Sequence, residues 1–215
     1  MGDRHYYTTS WKLAQFLPDL YNDFMRKITF DLETKNFFQD VGSNDPADLD
    51  ISVICIHDSL TDQYSSYLEK DLSKLWPILE QADMFITWNG DHFDIPILNK
   101  YYPGDITKIK SLDLMKEVQK VLGRRLKLDT VAEATLGLNK SSDGLQAVNW
   151  WQEGKIDKLI EYCIDDVRLT KELYDFAVNN KSLKFKELGA IKEIKLDTST
   201  WEIPQSSAMT FTLPF

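Results

Sequence analysis

The run Ile28-Thr29-Phe30-Asp31-Leu32-Glu33-Thr34 sets two carboxylates two residues apart at the end of a short, apolar, β-prone segment. On a strand, positions i and i+2 share a face, so Asp31 and Glu33 project side by side. Adjacent carboxylates repel each other unless a positive charge lies between them, and a divalent cation supplies one. The pair reads as half of a metal site. The competing reading is an Asp-x-Glu on a solvated edge or turn, and carboxylates further along the chain decide between the two.

Two such settings follow. Thr87-Trp88-Asn89-Gly90-Asp91-His92-Phe93-Asp94-Ile95-Pro96 comes after an apolar strand pattern, and Asp94 stands where a helix begins. An Asp there is equally a helix N-cap, a reading that Pro96 in the first turn supports. Asn89-Gly90 has the composition of a tight turn, and His92 reads as a loop residue rather than a ligand. The second setting is Glu161-Tyr162-Cys163-Ile164-Asp165-Asp166-Val167-Arg168. Tyr162 and Asp166 are four apart and share a helix face. Cys163 and Val167, with Ile156, Ile160 and Tyr174, make the expected core stripe. The alternative here is a solvated face on which Asp165 pairs with a nearby Lys or Arg.

The elements that must position these groups can be read from periodicity and turn residues. Residues 11–26 suggest a helical lead-in around Pro18, Ile28–Phe30 the start of a first strand, and 49–57 a second, β-branched strand. Gly42 to Pro46 form a turn cluster between them. Residues 70–82 predict an amphipathic helix with Pro77 as a kink, and 84–88 a buried strand. Short helices are expected over 94–102, 112–121 and 129–136, the last ending at Gly137, and the longest over 156–178. From Phe185 onward the spacing looks extended, with a Thr/Ser-rich turn near residue 199. A hairpin of 183–197 with 207–215, packed on the domain, is expected there. Strands first and helices later favour α/β or α+β with a central mixed sheet.

The chain of 215 residues, 43% hydrophobic and 12% aromatic, is long and apolar enough for one sizeable domain with an appendage. Its two cysteines, Cys55 and Cys163, lie in apolar segments, which points to a reducing cytoplasm rather than a disulfide framework. No run reaches membrane-spanning length, and the start lacks a signal-peptide pattern, so a cytoplasmic protein with no membrane partner is expected. A formal net charge of −9 argues against non-specific adhesion to nucleic acid. It does not exclude a phosphate substrate, because bound metals reverse the local field.

Asp-x-Glu on a first strand, Asn89 to Phe93-Asp94 after a middle strand, and Tyr162-x-x-x-Asp166 on a late helix occur in the order of the three exonuclease motifs of the DnaQ-like superfamily. The chain resembles its tyrosine-bearing DEDD class of 3′-to-5′ exonucleases. It is similar to the proofreading domain of family B DNA polymerases, and with no polymerase pattern after it resembles the stand-alone ribonuclease H-like relatives of that domain. The segments SLDLMKEV, LKLDTVAEATLG and WWQEGKI follow the same pattern, so the resemblance covers about residues 28–180. It implies a ribonuclease H-like α/β fold with a central mixed sheet flanked by helices: a helical lead-in over 1–27, an exonuclease domain over 28–182, and an extension over 183–215. It implies that Asp31, Glu33, Asp94 and Asp166 bind metal and that Tyr162 positions the attacking water. Asn89 and Phe93 then lie near the terminal nucleotide, and Leu32 and Thr34 where the strand approaches the 3′ end. Asp165 falls outside the motif. The partners it implies are the 3′ end of nucleic acid, single-stranded DNA rather than RNA, together with replication or repair proteins. The Leu-Pro-Phe ending is similar to short C-terminal peptides of replication complexes, but no acidic run flanks it.

The chemistry agrees with those roles. Phosphodiester hydrolysis needs an activated water and charge stabilisation at the leaving oxygen, which two divalent ions about 4 Å apart can supply. Asp31 is the best placed to bridge them. All-oxygen ligands suit Mg²⁺ or Mn²⁺. A tyrosine with a solution pKa of about 10 is a poor free base at neutral pH, which leaves Tyr162 to orient water. Arg124, Arg125 and Lys127 form the densest cationic cluster, readable either as phosphate contacts or as a solvated loop, and Trp88 is placed to line the cleft. The alternatives from other classes are a non-catalytic nucleic-acid-binding or scaffold module of the same fold, an RNA-directed exonuclease, and a ribonuclease H-like endonuclease.

Overall fold

The computed structural model describes residues 25–138 and 144–203. The expected lead-in helix lies outside the described residues up to position 24, and Met25 and Arg26 are not helical.

Strand β1 (Lys27–Thr34) alternates, with Ile28, Phe30 and Leu32 on one face and Thr29, Asp31 and Glu33 on the other. It pairs antiparallel with β2 (Ile51–Asp58) and parallel with β4 (Met84–Thr87). β3 (Gln63–Leu68) adds antiparallel to β2, and β5 (Lys110–Asp113) parallel to β4, giving a mixed sheet of order β3-β2-β1-β4-β5. β2 and β4 are buried along their whole length, as strands covered on both faces must be.

One face of the sheet packs Ile28, Phe30, Leu32, Ile54 and Phe85 against α2 (Leu72–Leu79) and α3 (Asp94–Tyr101). Phe30 meets Phe85 edge to face at 5.2 Å. The opposite face carries Asp31 and Glu33, whose partners across the ladder are Cys55 and Val53. Those two residues pack on Leu159, Tyr162, Cys163 and Val167 of the 25-residue helix α7 (Ile156–Asn180). The polar face of β1 is therefore roofed by the helix that bears Tyr162 and Asp166. Along α7 the buried residues are Leu159, Tyr162, Cys163, Asp166, Val167, Leu169, Thr170, Leu173, Tyr174 and Ala177. The expected stripe holds at Cys163, Val167 and Tyr174, but Leu159 takes the inward place given to Ile156 and Ile160, which are half-buried.

Two strands differ from expectation. β3 (QYSSYL) lacks β-branched residues and is half exposed, so its composition resembles a loop. Over 112–121 the apolar spacing continues from β5 into α4 (Leu114–Leu122), and the break comes from Asp113, whose carboxylate caps the helix at the Met115 and Lys116 N–H groups. α1 (Phe38–Val41), α5 (Leu128–Leu136) and α6 (Gly144–Gln152) complete the described helices, α5 ending at a left-handed Gly137.

The C-terminal hairpin forms within its first half: β6 (Ser182–Glu187) pairs with β7 (Ala190–Lys195), while 207–215 lies outside the described residues. The Thr135 hydroxyl accepts the Lys184 N–H at 2.9 Å and ties β6 to α5. Beyond β7, Trp201 stacks on Tyr174, and Lys110 Nζ donates to the carbonyls of Trp201 and Ile203 at 2.6 and 2.7 Å.

At the entry to β1, Arg26 grips the Asp58 carboxylate through Nε and Nη2, at 3.1 and 2.6 Å, with side chains only 12% and 8% exposed. Burial pushes the Asp58 carboxyl up, but Arg26 and the Leu60 N–H more than reverse this and hold it below its ordinary value. The stability it contributes is present above the unfolded-state pKa and is lost as the pH falls through the folded one. Asp58→Ala is expected to cost about 1–3 kcal/mol at neutral pH by urea unfolding, because among the described residues it leaves a part-buried guanidinium with only the Gln81 side chain as its partner. The deficit should shrink on acidification.

Candidate metal centre and cleft

The strand, the turn and the helix converge on one cleft of roughly 1040 Å³. Its lining includes every residue expected at the site: Asp31, Leu32, Glu33, Thr34, Asn89, Phe93, Asp94, Tyr162 and Asp166.

Ligand oxygens of Asp31, Glu33 and Asp166 all lie within 4.8 Å of one another. Three carboxylates so close need a positive charge among them, and hard oxygen donors suit Mg²⁺ or Mn²⁺. Asp94 is not in that trio. Its carboxylate is 3% exposed and accepts the Leu32 N–H at 3.0 Å. Burial, with repulsion from Asp113 and Asp166, pushes its carboxyl well above the ordinary range. Nor is Asp94 the N-cap of α3: Phe93 holds that position, and the Asp94 side chain turns back to β1. Because the Leu32 amide is committed to Asp94, that N–H is not free for a substrate.

Tyr162 is 5% exposed and meets Trp150 of α6 edge to face at 5.7 Å. Burial, then the carboxylates of Asp166, Glu33, Asp31 and Asp129, raise its hydroxyl far above its ordinary value. At neutral pH this phenol is a hydrogen-bond donor and not a base. Behind the carboxylates, the Cys163 thiol donates to the Asp31 carbonyl at 3.4 Å and fastens α7 to β1. Burial pushes that thiol up, so it is not a nucleophile.

The second motif is a turn. Asn89 is left-handed (φ 70°), and its carbonyl accepts the His92 and Phe93 N–H groups. His92 is exposed, consistent with its reading as a loop residue. At Gly90 an added Cβ would lie 2.4 Å from the Thr87 side chain, so only glycine fits. Gly90→Ala is expected to cost about 1–3 kcal/mol by thermal melting, because the turn must move away from β4.

Asp165 bonds Arg168 at 3.0 Å on the outer side of α7 and is no part of the cleft. Arg124 is taken by Glu187 at 2.7 Å and lies over Phe185. Arg125 and Lys127 do line the cleft, with no carboxylate partner among the described residues, and Trp88 lines it as expected. The sequence reading missed Asp129, Phe37 and Phe38, which also line it. Asp129 falls in LKLDT, where its spacing from Leu128 and Val131 reads as an ordinary first-turn acid. The two phenylalanines follow the first motif closely, and Phe38 packs edge to face on Phe93 at 6.3 Å.

A family model of the RNase H superfamily matches residues 28–178. The chain is 29% identical over 158 residues to a DNA polymerase of Thermococcus litoralis, covering 60% of this chain and 9% of that protein. It is 28% identical over 166 residues to DNA polymerase 1 of Sulfolobus acidocaldarius, covering 62% and 18%. The chain thus spans less than a fifth of the length of these curated relatives. Among solved structures, the family B DNA polymerase from the archaeon Pyrobaculum calidifontis shares the fold, with a TM-score of 0.57 and 18% identity over 72% of this chain and 24% of that one. Among the described residues no helix is long and apolar enough to cross a membrane.

Proposed function

Because the chain belongs to the RNase H superfamily, we propose that it is a metal-dependent 3′-to-5′ exonuclease acting on single-stranded DNA. The observation that carries this reading is the trio Asp31, Glu33 and Asp166 beside Tyr162 in one cleft. Similarity to DNA polymerases supports DNA as the substrate. Asp31, Glu33 and Asp166, with Asp94 alongside, would hold two Mg²⁺ or Mn²⁺ ions, which supply charge stabilisation and a nucleophile at neutral pH.

The remaining work falls to the chain's own groups. The Tyr162 hydroxyl, kept protonated, donates a hydrogen bond that orients the attacking water. Phe37, Phe38, Phe93 and Trp88 give the cleft aromatic surface on which bases stack with little regard to sequence. Arg125 and Lys127 meet the phosphates of the incoming strand, which gives an acidic protein a local cationic contact for nucleic acid.

Exonuclease and endonuclease action separate on linear and circular single-stranded DNA of the same sequence. Only the linear form with a free 3′ end should be degraded, and a 3′-blocked end should protect it. Nicking of the circle would overturn the assignment in favour of an endonuclease.

A further inference from the structure

We propose that Asp113 is a positioning residue of this site, holding the Asn89 to Asp94 turn in its working shape. The carboxylate stands at the end of β5, 3% exposed, and serves two segments at once. Toward α4 it accepts the Met115 and Lys116 N–H groups at 3.0 and 3.3 Å, which any N-cap would do. Toward the turn it accepts the Asn89 N–H at 2.9 Å and the Asp91 N–H at 3.3 Å, more than 20 residues away in sequence. Capping α4 does not require those two bonds.

The turn needs them. The left-handed region costs most non-glycine residues about 1–2 kcal/mol, and although asparagine tolerates it better than most, a fixed left-handed turn still needs its amide held. Asn89 is such a residue, and Asp113 holds its amide. The Asn89 carbonyl fixes Phe93, and the Gly90 carbonyl accepts the Ile95 N–H at 2.8 Å, so this one turn places Asp94 as well. A second clamp acts in parallel: the Asp91 carboxylate accepts Ser111 Oγ at 2.5 Å and Lys116 Nζ at 2.7 Å. Strand β5 and the start of α4 thus act as a jig for the second motif, with Asp113 at its centre.

The test separates the two duties of one carboxylate. Asp113→Ser keeps a good N-cap for α4 but is too short to reach the turn, whereas Asp113→Asn keeps the one oxygen that serves both Asn89 and the cap and gives up the acceptor for Asp91. This proposal rests on the exonuclease reading for its activity readout but not for its structural one, which is amide hydrogen exchange of the metal-free protein. In Asp113→Ser, protection at Asn89 and Asp91 should fall at least tenfold while that of the β1 and α7 amides stays unchanged. Turnover of single-stranded DNA should fall about 10- to 100-fold, with Asp113→Asn recovering most of the turnover and of the protection at Asn89, but not that at Asp91. Wild-type protection at Asn89 and Asp91 in Asp113→Ser would overturn the proposal, as would equal loss of protection in all three regions. If wild-type protein degrades no nucleic acid, the exonuclease reading fails and the exchange data still decide the role of Asp113.

Discussion

Asp31→Ala is expected to lose hydrolysis by at least about a thousandfold, some 4 kcal/mol of barrier, while the protein stays folded. Asp31 belongs to the trio gathered within 4.8 Å and shares strand β1 with Glu33, so its removal leaves only Glu33 and Asp166 of that trio to hold a cation. Its removal should also raise the melting temperature of metal-free protein, because it relieves repulsion among crowded carboxylates. Adding Mg²⁺ should then stabilise the wild type more than the variant. Near-normal turnover in purified Asp31→Ala, or a lower metal-free melting temperature, would contradict the role given to the trio. Asp166→Asn should behave likewise from the helix side.

Tyr162→Phe is expected to slow turnover about a hundredfold with little change in metal affinity. The ring stays packed on Trp150 and only the hydroxyl is lost, so stability should hardly move. Since burial and neighbouring carboxylates keep that hydroxyl protonated, the wild-type rate profile should show no break attributable to the phenol between pH 7 and 9. Calorimetric Mn²⁺ titration alongside single-turnover kinetics checks both halves. Unchanged turnover would remove Tyr162 from the mechanism, and a parallel loss of Mn²⁺ binding would make it part of the metal site.

The parts of the site legible in the sequence are those whose periodicity fixes direction. A two-residue spacing on β1 put Asp31 and Glu33 on one face, and a four-residue spacing on α7 put Tyr162 and Asp166 on another. The cross-strand partners Cys55 and Val53, packed on Leu159 and Cys163, bring those faces together. Asp94 was less legible. Its place at the start of α3 fits an N-cap, and only the tertiary contact with the Leu32 amide shows where the carboxylate goes. Asp113 was hidden because the apolar residues around it keep helical spacing through the end of β5. Its acceptor role draws on Asn89 and Asp91, and local pattern cannot join segments that distant. β3 escaped because an edge strand needs no apolar alternation, and Phe37 and Phe38 because the cap and first residue of a four-residue helix are too short a run to show a period.

The account is tested most directly with a 5′-labelled single-stranded DNA oligonucleotide incubated with wild-type protein in Mg²⁺, in Mn²⁺ and in EDTA. It predicts a ladder that shortens stepwise from the 3′ end in either metal, absent in EDTA and absent with Asp31→Ala. An intact oligonucleotide in both metals, or a ladder that persists in EDTA, would contradict it.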